Sequence, residues 1–340
     1  MAELVAALSI ATDLGMGQPM EFALGACVLA VRLGEKCGYS QDALREVYYQ
    51  ALLRYIGCNV DTDWLASVFG DEQRLRTDFA QIDNANLPAL VNTIMRLIRQ
   101  ANAGASMLEV ARALGRGLTS FPQLKPMFSG HCEVAQRLAG RLGFGPDVVY
   151  ALGQLYERWD GKGLPNGLRG EAIAPAVLVV TLAQDVALFH RLGGLDAALN
   201  VARERQGAAY APHLVEVFGA HAAELCAGLD EELAWDAVLA LEPGPQAVLS
   251  EAQLDNACRA LADFVDIKSP YTLTHSSGVA ELAAEAARRA GLPAADVTLI
   301  RRAAWLKEIG RTGISSTVWE KTTPLTEREW ERVRLHTYYS

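Results

Sequence analysis

The sequence predicts an all-α protein on three observations. Apolar residues recur at helical spacing, glycine and proline fall where helices should end, and β-branched alternation is scarce. Within 23–37, Leu24, Cys27, Val28, Val31 and Leu33 form one stripe; Val134, Leu138, Ala139 and Leu142 form another. Helix stops are expected at Gly38, Gly70, Gly143 to Pro146, Gly193-Gly194 and Gly291 to Pro293. The most strand-like run, 177–182, is flanked by alanine and reads equally well as a buried helix.

The 340 residues allow two domains. An apolar share of 51% excludes a mainly disordered chain, and a net charge of −9 argues against direct nucleic-acid binding. No run of 18 apolar residues occurs, and the start has no basic region ahead of an apolar one. Six cysteines lie scattered without a CxxC pair, as expected of buried thiols in a reducing compartment. A cytoplasmic protein without membrane contact is expected.

Leu241-Glu242-Pro243-Gly244-Pro245 interrupts the helices, and Ser250 is placed to cap the next one. This divides the chain into residues 1–240, a linker 241–249, and residues 250–340. The two parts share a repeat. Shifted by 253 positions, 22–57 lies on 275–310 without a gap, matching Gly25 with Gly278, Leu29 with Leu282, Gly38 with Gly291 and Gly57 with Gly310. Glycines at helix ends carry most of this signal, because they fix where each helix stops.

The second copy, with KSPYTLTH, LKEIGRTGIS and RLHTYYS, resembles an HD-GYP domain, the branch of the HD phosphohydrolases associated with cyclic di-GMP hydrolysis. The middle of the chain is similar to the second half of such a domain, with Asp160-Gly161-Lys162-Gly163-Leu164-Pro165 at the DGxGYP loop. The resemblance implies an HD-domain-like helical bundle: one complete degenerate HD-GYP-like domain plus the first half of a second. It extends to the N-terminal part of bacterial proteins in which such repeats precede a LuxR-type helix-turn-helix.

The family's chemistry uses metal ions, held by His and Asp, that acidify a water and neutralise a phosphodiester. Carried over residue by residue, the resemblance leaves few ligands. In the first copy, Phe22 stands at the first His, Arg54 and Tyr55 at the HD pair, and Leu155 and Tyr156 at the His-His pair; His131 and Asp185 are kept as remnants. In the second copy His275 and His336 are kept, while Lys307 and Glu308 stand at the HD pair, and the given chain ends before a counterpart of Leu155 to Asp185. Such a half-domain belongs to a longer protein or is completed by another chain. His131 with Asp185, and His275 with His336, read as remnant metal sites or as plain hydrogen-bonded groups. Lys307 and Glu308 read as a salt bridge replacing the metal centre or as solvated side chains. Arg158, Trp159, Asp160 and Lys162 suit an anionic ligand such as a nucleotide, although their loop also serves as a turn.

The resulting expectation is a catalytically degenerate regulatory or sensor module. It would bind a ligand or partner, or form a homodimer, without phosphodiesterase activity and without a cofactor. The alternative is a metal-dependent phosphohydrolase, using iron or manganese, that acts on cyclic di-GMP, another cyclic dinucleotide or a nucleotide.

Overall fold

The computed structural model describes residues 1–83, 85–101, 115, 123–229 and 234–340. The described residues form sixteen α-helices, two short 3-10 turns and no β-strand. The all-α expectation holds. The first unit begins with α1 (Ala2–Gly15), α2 (Phe22–Lys36), α3 (Gln41–Leu53), α4 (Thr62–Phe69), α5 (Glu72–Phe79) and α6 (Leu87–Ala101). It continues through α7 (Leu124–Leu142), α8 (Pro146–Leu152), α9 (Pro175–Glu204), α10 (Pro212–Leu225) and α11 (Ala234–Ala240). The second contains α12 (Glu251–Asp266), α13 (His275–Arg289), α14 (Ala294–Leu306), α15 (Ser316–Trp319) and α16 (Glu327–Tyr339).

Local chemistry sets the ends. Ser40 and Asp71 accept hydrogen bonds from the first turns of α3 and α5, and Ser250 with Gln253 closes a capping box on α12. The ambiguous run 177–182 lies inside α9, and Gly193-Gly194 break that helix into two segments. By length and composition α9 could cross a membrane, yet 56% of its apolar window is buried inside the bundle. It is the central core helix.

Alternating faces of α2, α3, α7 and α9 supply the main core, with Leu29, Leu52, Ala139 and Val180 almost fully buried. This core does not stop at the linker: Leu261, Phe264 and Val265 of α12 belong to it. The Met1 ammonium donates to the Ala247 carbonyl (2.9 Å), and Arg45 donates to Pro243 and Pro245 (3.1 and 3.2 Å). The linker is therefore pinned along the first unit. A smaller cluster joins α4, α5 and α6, and another joins α12, α13 and α14 around Trp305.

The repeat is visible in backbone detail. Asp13 accepts from the Ala23 amide at 2.9 Å; Asp266, 253 positions on, accepts from Ser276 at 2.8 Å. The residues leading into α2 and α13, Glu21 and Thr274, both adopt left-handed conformations (φ 69° and 65°). Each buried carboxylate holds an amide at the start of the helix that follows this turn. Burial pushes the Asp13 carboxyl well above its ordinary value and raises Asp266 as well.

Asp13→Ala leaves a buried amide unpaired and should cost about 1–3 kcal/mol in urea unfolding. Asp13→Asn keeps the acceptor and sheds the buried charge. Because the folded pKa is raised, the wild-type contribution is fully present below the ordinary carboxylate range and falls as pH climbs toward the folded value. The Asn variant should therefore gain on wild type across that interval.

Candidate functional site

Gly57 and Gly310 place the two equivalent sites. A Cβ on Gly57 would lie 2.0 Å from the His131 carbonyl oxygen, and one on Gly310 would lie 2.0 Å from that of His336. Only glycine allows such backbone contact. It sets α7 against the end of α3, and α16 against the end of α14.

In the first unit this contact surrounds His131 with protein groups. Its Nε2 lies 2.9 Å from Asp61 Oδ2 and its Nδ1 lies 3.0 Å from the Tyr156 hydroxyl, which is 3.2 Å from Cys58 Sγ. Arg54 donates to Thr181 Oγ1 (3.3 Å), and Tyr55 donates to Gln184 Oε1 (2.5 Å). Asp185 accepts from Arg205 (2.8 Å) and from the Tyr210 hydroxyl (2.5 Å). Leu155 is core, and Phe22 lies under the Arg191 guanidinium. His131 and Asp185 thus have separate partners.

Burial would push the His131 imidazolium down, but the Cys58 thiolate and the Asp61 carboxylate outweigh it, and the pKa rises to about 9. Burial opposes the Cys58 thiolate too, yet His131 and Arg76 bring its pKa below the ordinary thiol value. The Tyr55 phenol is pushed up to about 12, first by burial, and stays protonated at neutral pH.

In the DGKGLP loop, the buried Glu157 accepts from the Asn166 and Leu168 amides (2.7 and 2.8 Å), while a Cβ on Gly163 would meet Arg158 N at 2.4 Å. Arg158 donates to Asp83 (2.6 Å) and to Asp160 (3.3 Å). Arg158 and Asp160 thus face each other within the chain. Trp159 meets His213 edge-on, and Lys162 is exposed.

In the second unit His275 is exposed at the start of α13, and His336 Nδ1 lies 2.5 Å from the Val333 carbonyl oxygen. Lys307 and Glu308 do form an ion pair, and Arg311 adds a contact to Glu308 at 3.7 Å. Burial opposes the Glu308 charge, but Lys307 and then Arg311 hold its carboxyl below the ordinary value. Nearby is a small, partly enclosed cleft lined by Lys268, Ser269, Thr272, Arg311, Ser316 and Trp319. Lys268 donates to the Thr312 carbonyl (2.9 Å) and lies 3.6 Å from Glu72, and the Arg311 guanidinium stacks 4.3 Å above Trp319. Burial lowers Lys268 to about 8 against the pull of Glu72.

No group of three or more His, Cys, Asp or Glu side chains able to hold a metal ion occurs among the described residues. Among the described residues the donor sets around His131 and His336 do not fit a metal cluster, because their carboxylates are matched by guanidinium, ammonium or hydroxyl groups.

No family model matches the chain. Along its full length it is 28% identical to a 3'3'-cGAMP-specific phosphodiesterase of Vibrio cholerae, covering 74% of that protein. A crystal structure of a cyclic GMP-AMP-specific phosphodiesterase from V. cholerae matches all of the chain with a TM-score of 0.73 and 27% identity, over 77% of that structure. These likenesses support the HD-GYP family. They overturn the expected regulatory module without phosphodiesterase activity, since both relatives are cyclic-dinucleotide phosphodiesterases. The expectation of no cofactor falls with it, because hydrolysis in the HD-GYP family is metal-dependent.

Sequence reasoning missed Asp61, Cys58, Gln184, Arg205 and Tyr210. Only Cys58, next to Gly57, carried a local signal, through its place in the repeat. His131→Gln removes the cation between Cys58 and Asp61 and should cost about 3–5 kcal/mol near neutral pH, read by urea unfolding. With a raised folded pKa, the His131 contribution is fully present below the ordinary imidazole value and is lost as pH rises through about 9. The gap between wild type and variant should shrink over that interval.

Proposed function

We propose that this chain is a cyclic-dinucleotide phosphodiesterase of the HD-GYP type, with 3'3'-cGAMP as its first candidate substrate. The observation that carries the proposal is the likeness along the full length of the chain, in sequence and in backbone, to phosphodiesterases for that dinucleotide. Residues 1–240 and 250–340 serve as two units joined by 241–249. The second unit is the side facing the substrate. Arg311 supplies a cation for a phosphodiester, and Trp319 supplies an aromatic surface for a base. Trp159 and Lys162 remain candidate contacts on the first unit. Iron or manganese is the cofactor class of this reading, although the ligand sets above assign it no position. Its expected compartment is the cytoplasm, with a nucleotide-class anion as ligand, a second copy of the chain as protein partner, and no nucleic-acid or membrane contact.

The test incubates the purified protein with 3'3'-cGAMP or cyclic di-GMP and manganese or ferrous iron, and follows linear dinucleotide by chromatography. Conversion of 3'3'-cGAMP is expected; absence of product with either metal overturns the proposal. Arg311→Ala removes a charged phosphate contact and should raise KM about tenfold or more, given about 1.5–3 kcal/mol for a charge-assisted hydrogen bond.

A further inference from the structure

Helix α5 sends oppositely charged arms, one turn apart, to the same loop in both repeats. Arg76 donates to the Gly15 carbonyl (3.0 Å), the Asp61 carboxylate (3.3 Å) and the Cys58 carbonyl. Cys58 to Thr62 is the loop that the 253-residue shift lays on Arg311 to Ser315. Glu72 turns to that second loop. Fully buried, it accepts from Ser315 Oγ at 2.7 Å and from the Ser316 amide at 2.9 Å, and it faces Lys268 at 3.6 Å. Between them, Gln73 Nε2 donates to Leu14 O (3.1 Å) and Thr312 O (3.3 Å). Thus α5 spans both equivalent loops, and each polar arm is satisfied by backbone or charge from its own side.

We propose that α5 is a strut between the two units and that Glu72, from the first, is a positioning residue for the cleft of the second. Glu72 holds Ser316 and Lys268, two of the residues that line this cleft, and the short turn between Arg311 and Ser316 is fixed from outside its own repeat. The substrate part of this inference rests on the phosphodiesterase reading; the strut itself does not. A buried carboxylate with an ammonium and two hydrogen-bond donors is costly to place, so it orients its partners more than it stabilises them.

The experiment measures amide hydrogen exchange of the full chain in wild type, Glu72→Gln, Glu72→Asp, Glu72→Ala and Arg76→Met, together with kinetics on 3'3'-cGAMP. Glu72→Ala should speed exchange in 311–319 about tenfold or more while 58–62 stays protected, and Arg76→Met should do the reverse, each tenfold being about 1.4 kcal/mol of local opening. Glu72→Gln, which keeps an acceptor but loses the charge facing Lys268, should raise KM about tenfold and leave kcat within about twofold. Glu72→Asp should recover part of that loss. Unchanged exchange in 311–319 with Glu72→Gln and Glu72→Ala overturns the strut. Faster exchange with an unchanged KM overturns the positioning role. Faster exchange in a protein that hydrolyses no dinucleotide supports the strut and sinks the phosphodiesterase reading instead.

Discussion

Everything in both sites depends on backbone contact at a glycine. Where Gly57 touches α7 and Gly310 touches α16, the gap is smaller than a methyl group. Helices that meet this closely leave no freedom to slide, so the histidine on each arriving helix has a fixed depth. His131 and His336 share one place in the fold because each lies at this contact. Their different surroundings then follow from what the rest of each unit brings.

In the first unit the fold brings a full complement of partners. Asp185 would be a half-buried charge without partners if Arg205 and Tyr210 were absent, and His131 would be an unpaired cation without Asp61 and Cys58. Arg205 meets the Asp185 carboxylate with a directional, permanently charged donor. The second unit keeps more of its charge near solvent. His275 is exposed, Lys307 reaches Glu308 at the rim, and Arg311 is half-buried at the cleft, whereas Lys268 is buried against Glu72.

The helices were legible in the sequence because their signals are local. The stripe from Leu24 to Leu33 is buried as its spacing requires, Ser250 caps α12, and the matched Gly38 and Gly291 both turn left-handed (φ 73° and 74°). The repeat was legible for the same reason. Partners distant in sequence were not. Nothing near Glu72 points to Ser315, 243 residues away, and nothing near Asp185 announces Arg205 or Tyr210. Ligand positions carried over from a family state which metal ligands are missing, but not which side chains have moved in. The same gap separates ligand positions from function: missing ligands alone imply lost activity, while the likeness to phosphodiesterases runs through the entire chain.

Among the described residues, two ion pairs cross from one unit to the other, Arg141 with Asp263 at the surface and Glu72 with Lys268 in the interior. Replacing such a pair with apolar groups often leaves stability unchanged or higher, whereas removing one partner is expensive. Apolar contacts between α7 and α12 would hold the units together without them, but such contacts tolerate small shifts in register. A carboxylate that must meet two donors and an ammonium does not. The Glu72 contacts thus add a directional constraint to the placement that the apolar surface supports, and they reach the loop that follows Arg311.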